Sequence, residues 1–160
     1  MVPFSAFNEV LSEPRSEHPK ASHHCTAFRH MNDHKQVVEG AKDDGEPGGT
    51  AGTPMLRVLQ GSGLMDIGAI VVRYFGGTKL GTGGLTRAYG GAVRQAVDQA
   101  NFAPWYWRVT HVFKADFAHS AELERKLAVL PEVEILNRNF TEQGVEVAVV
   151  GPEDIIANVD

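Results

Sequence analysis

Residues 67–100, IGAIVVRYFGGTKLGTGGLTRAYGGAVRQAVDQA, leave few options for the fold of this chain. Residues 67–75 form a short apolar run rich in β-branched side chains, whose stiffness at χ1 favours a buried strand over a helix. The next nine residues, 76–84, contain five glycines and read as a loop. Beyond it Leu85, Ala88, Tyr89, Ala92, Val93, Ala96, Val97 and Ala100 recur at helical spacing, with Arg87, Arg94, Gln95 and Asp98 off that stripe. Strand, glycine loop and helix in direct succession bring the unpaired N–H groups of a helix start next to permissive backbone. Such a corner suits an anion or a closely approaching partner backbone.

Known phosphate and nucleophile motifs do not fit it. Lys79 is followed by Leu80 rather than Ser or Thr, which excludes a Walker A loop. After Gly81 and Gly83 the third position of a dinucleotide fingerprint is Thr86, and Gly-x-Ser-x-Gly is absent. Two readings stay open. In one, Gly76, Gly77, Gly81, Gly83 and Gly84 only supply positive φ angles in a crossover. In the other, they form a binding corner to which Lys79, Thr82 and Arg87 add donors and positive charge. Gly90 and Gly91 read as a place where the helix approaches the sheet closely.

A second unusual stretch is KDDGEPGGTAGTP at residues 42–54. Asp43, Asp44 and Glu46 surround Gly45 and precede Pro47, as in a tight turn. Thr53 is placed as an N-cap and Pro54 at the first position of a short helix that Gly61 would close. The three carboxylates read either as a solvated turn or as a magnesium or acid–base site. Upstream, Phe4, Phe7, Val10 and Leu11 have helical spacing that Pro14 should end. His18, His23, His24, Cys25 and His30 crowd together, but without the two-residue gap of a zinc knuckle. An extended strand would let at most two of His23, His24 and Cys25 converge, so the expectation is a strand with His24, Thr26 and Phe28 on one face.

Composition divides the chain. Residues 1–102 hold ten Lys/Arg and ten Asp/Glu, whereas residues 103–160 hold five and ten and so carry the whole net charge of −5. Fifteen of the seventeen glycines lie between Gly40 and Gly91. The shift predicts two modules, residues 1–103 and 104–160. In the second, alternation over residues 107–117, a helix capped by Ser120, strands at residues 133–139 and 145–150 and a final helix from Glu153 give β-α-β-β-α. That is a ferredoxin-like split βαβ unit without its last strand. Neither module is basic enough to imply nucleic-acid binding from charge alone. With one cysteine, no signal sequence and no membrane-length apolar run, a cytoplasmic protein without membrane partners is expected.

Together, residues 42–56, 71–85 and 87–90 resemble the signature of the YigZ/IMPACT family. The resemblance implies an α+β protein: a ribosomal protein S5 domain 2-like module followed by a ferredoxin-like one, a pair similar to domains IV and V of elongation factor G. It also implies a non-enzymatic binding protein linked to translation regulation, with RNA, the ribosome or a ribosome-associated protein as partner. Arg73, Gly76, Gly77, Lys79, Gly81, Thr82, Gly83, Gly84 and Arg87 are then the candidate contacts, and no cofactor is expected. The alternative is a small-molecule phosphate enzyme in which Asp43, Asp44 and Glu46 hold magnesium and Lys79 meets the phosphate. Relatives carry a strand before the first helix and another after residue 160. Open sheet edges are therefore expected to promote self-association, with Val145, Val147 and Val149 bordering one gap and Glu146 guarding it.

Overall fold

The computed structural model describes residues 7–159, with side chains at Val10 and from residue 12 onward. The chain divides into two compact units, residues 1–103 and 104–160. Both are α+β, each built on a three-stranded antiparallel sheet. Among the described residues no helix is long and apolar enough to cross a membrane.

The first unit runs α1 (Phe7–Glu17), β1 (His23–Met31), β2 (Val37–Lys42), α2 (Gly52–Ser62), β3 (Ile67–Arg73) and α3 (Gly81–Gln99). Its sheet has the order β2-β1-β3, so the central strand is the His/Cys-rich segment. Cys25 and Ala27 point to one face, where Met55, Val58 and Leu59 of α2 and Leu85, Tyr89 and Val93 of α3 close over them. His24 and Thr26, of opposite parity, are buried as well. β1 is thus covered at both parities, which explains a run with little polar alternation.

Several local expectations need correction. Pro14 does not end α1; it forfeits one hydrogen bond to the preceding turn, and the helix continues to Glu17, with His18 N–H donating to Pro14 O at 2.9 Å. Phe4 lies outside the described residues. β2 was not expected, because VVEGAK is short and interrupted by Gly40. The Phe28 ring on β1 lies over that glycine: a Cβ there would stand 2.4 Å from the ring, which would have to shift. α2 closes at Gly63, whose φ of 69° makes it the left-handed C-cap, and Gly61 lies inside the helix. α3 begins at Gly81, so Thr82, Gly83 and Gly84 form its first turn rather than a loop. Its buried stripe is the narrower i, i+4 series Leu85, Tyr89, Val93 and Val97, leaving Ala88, Ala92 and Ala96 exposed. Gly90 faces α2 rather than the sheet, a Cβ there standing 3.7 Å from Pro54.

The second unit runs β4 (Arg108–Ala115), α4 (Ser120–Ala128), β5 (Glu134–Phe140), β6 (Val145–Pro152) and α5 (Glu153–Ile156), with strand order β4-β6-β5. Val145, Val147 and Val149 do not border an open edge. β6 is the central strand, paired on both sides, and these valines are the fully buried core beneath Leu127 and Ile156. The edges are β4 and β5. Ser120 does not cap α4 through its hydroxyl, which donates to Phe117 O; the Asp116 carboxylate instead accepts from the His119 N–H at 2.9 Å.

Candidate functional site

The acidic turn is a structural fastener. Asp44 and Gly45 take left-handed conformations (φ 46° and 89°), which bends the chain sharply after β2. The Asp43 carbonyl accepts from Glu46 N–H at 3.1 Å and from the Cys25 thiol at 2.9 Å, fixing the turn on β1. The Asp43 carboxylate then caps α2 from outside: Oδ1 accepts from Ala51 and Gly52 at 3.0 and 2.8 Å, and Oδ2 from Gly49 at 2.7 Å. Thr53, the expected N-cap, is exposed and makes no such bond. Asp44 accepts from the backbone of His24 at 2.7 Å and from Arg15 at 2.9 Å.

Glu46 is buried and lies at the centre of a second network. Its Oε1 accepts from Arg73 Nη1 and from the Tyr89 hydroxyl, the latter at 2.7 Å. His23 donates through Nδ1 to the Asp44 carbonyl at 2.8 Å, which leaves its Nε2 facing Glu46 Oε1 at 3.8 Å. Burial raises the pKa of each of the three carboxylates, but their hydrogen bonds outweigh it, and all three are held below the ordinary range. For Glu46 the opposing contributions come from Arg73, Tyr89 and His23. Burial also pushes the Cys25 thiol up to about 11 and raises the Tyr89 phenol, so both stay protonated at neutral pH.

A solvated turn is therefore not what residues 43–46 form, since Glu46 is 8% exposed. The carboxylates are engaged with protein donors. Among the described residues no three His, Cys, Asp or Glu are grouped to hold a metal ion. In the His/Cys segment, His24 has a buried Nε2 without a hydrogen-bond partner, and its Nδ1 lies 3.9 Å from Asp44.

The glycine corner lies where this network ends. Arg73 is the last residue of β3 and Tyr89 stands two turns into α3, so one carboxylate oxygen ties together the two elements that flank the loop. Residues 74–83 form an unbroken exposed run. Gly77 and Gly81 have φ of 83° and 69°, and a Cβ at either would meet nothing, so conformation rather than packing requires glycine there. No side chain caps the start of α3, and its first turn contains no carboxylate, so the helix presents free N–H groups with their partial positive charge. Lys79 and Arg87 are exposed beside it, whereas Arg73 is largely neutralised by Glu46.

Sequence reasoning missed three features here. The first is the Glu46–Tyr89 tie, between residues far apart in the chain. The second is the exposure of Tyr74 and Phe75, at 55% and 54%. The third was visible all along: residues 67–97 include Arg73, Lys79, Arg87 and Arg94 and not one Asp or Glu, in a chain with a net charge of −5.

Residues 4–97 match the family model of the Impact N-terminal domain. An IMPACT family member from Haemophilus influenzae is 44% identical over 126 residues, which span 79% of this chain and 61% of that protein. The IMPACT family member YigZ of Escherichia coli is 58% identical over 96 residues, 59% of this chain and 46% of the relative. YvyE of Bacillus subtilis is 41% identical over 121 residues, 74% and 54% of the two chains. The chain thus spans between 46% and 61% of the length of these relatives. A crystal structure of a hypothetical protein superposes with a TM-score of 0.64 at 38% identity, covering 94% of this chain and 72% of that one.

Proposed function

The chain belongs to the IMPACT family, and from that premise we propose that it is a non-enzymatic binding protein linked to translation, whose corner at residues 76–87 contacts RNA phosphates. The observation that carries this reading is the carboxylate-free run from residue 67 to 97, folded into a strand, an exposed glycine loop and an uncapped helix start. A polyanion meets Lys79, Arg87 and main-chain N–H donors there without opposing charge. Contacts of this kind position RNA without reading its sequence. The Glu46 carboxylate anchors both flanks of that corner through Arg73 and Tyr89.

The test is a salt titration of RNA binding with the parent and with the double variant Lys79→Ala/Arg87→Ala. Loss of two phosphate contacts should weaken binding and reduce the slope of log K against log salt by about one to two. Equal affinity and equal slope in the two proteins would remove the corner from the contact surface. Loss of ribosome co-sedimentation with RNA affinity intact would reassign it to a protein partner.

A further inference from the structure

Two aromatic rings at the mouth of the corner have no role in either core. Tyr74 and Phe75 follow the last residue of β3 and are more than half exposed, whereas Tyr89 of the same unit is buried. Both are held in place. The Tyr74 hydroxyl shares a hydrogen bond with His18 Nδ1 at 3.0 Å, and the two rings meet edge to face at 6.0 Å and 86°. The Phe75 N–H donates to the Ser22 hydroxyl at 3.3 Å, and the Arg73 guanidinium carbon lies 5.6 Å from the Phe75 ring centroid. Arg73 is in turn fixed by Glu46. Ordering these rings on a ligand therefore loses little conformational freedom, because their neighbours already restrict them.

Exposed aromatic rings within a segment, residues 67–97, that carries four Lys/Arg and no Asp or Glu are the two components of a single-strand nucleic-acid platform: π faces for bases, and cations and N–H groups for phosphates. In a duplex the bases are already stacked and paired, so a ring on the protein has no free base face to meet. We propose that Tyr74 and Phe75 stack unpaired bases, making this corner selective for single-stranded over double-stranded RNA. The proposal rests on the RNA reading above and adds the strandedness of the ligand and two residues outside the set of phosphate donors.

The experiment uses the full chain and two probes at one salt concentration, a fluorescein-labelled oligouridine and an RNA duplex of the same length, read by anisotropy. The parent should bind the single strand at least about tenfold more tightly. Tyr74→Ala/Phe75→Ala should lower single-strand affinity by about tenfold or more, leave duplex affinity unchanged and preserve the salt slope, because stacking releases no counterions. Phe75→Leu, which keeps apolar bulk without a π face, should lose part of the affinity that the double alanine change removes. Phe75→Trp should retain it, with indole fluorescence quenched on addition of RNA. Equal affinity for single strand and duplex, or full single-strand affinity in Phe75→Leu, overturns the stacking proposal. If the stacking variants bind like the parent while Lys79→Ala/Arg87→Ala does not, stacking fails and the phosphate reading stands. Absence of binding to either RNA removes both.

Discussion

Replacing Asp43 tests directly whether the acidic turn is architecture. Asp43→Ala deletes the acceptor for three backbone N–H groups. Gly49 is exposed, so water can take over its bond, and that loss is small. Ala51 and Gly52 are buried. The chain packs tightly at Gly52, where a Cβ would lie 2.7 Å from the Lys42 nitrogen. Leaving a buried donor unsatisfied costs about 1–3 kcal/mol, so the two together give roughly 2–6 kcal/mol. That exceeds the typical ~1 kcal/mol of a lost surface N-cap. Asp43→Asn keeps one neutral acceptor at Oδ1 and should cost about 1–2 kcal/mol, the difference between a charged and a neutral partner. Urea unfolding followed by amide exchange on β1 and α2 reads this without interference from the second unit. A loss under about 0.5 kcal/mol for Asp43→Ala, the range of an unremarkable surface substitution, would refute the argument.

Two further expectations follow from the same contacts. Asp43, Asp44 and Glu46 all have folded-state pKa values below their ordinary ones, so they contribute stability that is fully present above about pH 4–5 and lost as pH falls through the depressed values. An acid titration of the first unit should show a flat neutral plateau and a falling acid limb, shallower in Asp43→Asn; equal acid limbs in parent and variant would count against it. In the second unit a Cβ at Gly144 would lie 2.0 Å from the Ala115 carbonyl oxygen, at a φ of 156°. Gly144→Ala should therefore break the end of the β4–β6 pairing and destabilise that unit by more than about 2 kcal/mol, with amide protection on β1 unchanged, and a cooperative second unit of parental stability would contradict it.

What could be read from the residues and what could not separate along one physical line. Features carried by neighbours in the chain were legible: the β-branched run of β3, the Leu85–Tyr89–Val93 stripe of α3, the alternation of β4 and the turn before β6. Features that depend on distant partners were not. Thr53 satisfies every local rule for an N-cap, yet the cap comes from Asp43, ten residues earlier, because the turn folds back over the start of α2. The start of α3 was misplaced because GTGG is poor helix-forming sequence without a capping side chain; packing of Leu85 and Tyr89 against α2 and β1 stabilises that turn instead. Val145, Val147 and Val149 alternate as an edge or a central strand would, and only the pairing order tells the two apart. Glu46 is the clearest case, since its partners Arg73 and Tyr89 stand 27 and 43 residues away. The same distance gives the contact its importance. A loop with free glycines has no intrinsic shape, so a surface built on it needs rigid anchors on both sides. One buried carboxylate supplies both, holding the end of β3 and the third turn of α3, and thereby fixes the span across which the exposed donors and the two aromatic rings are presented.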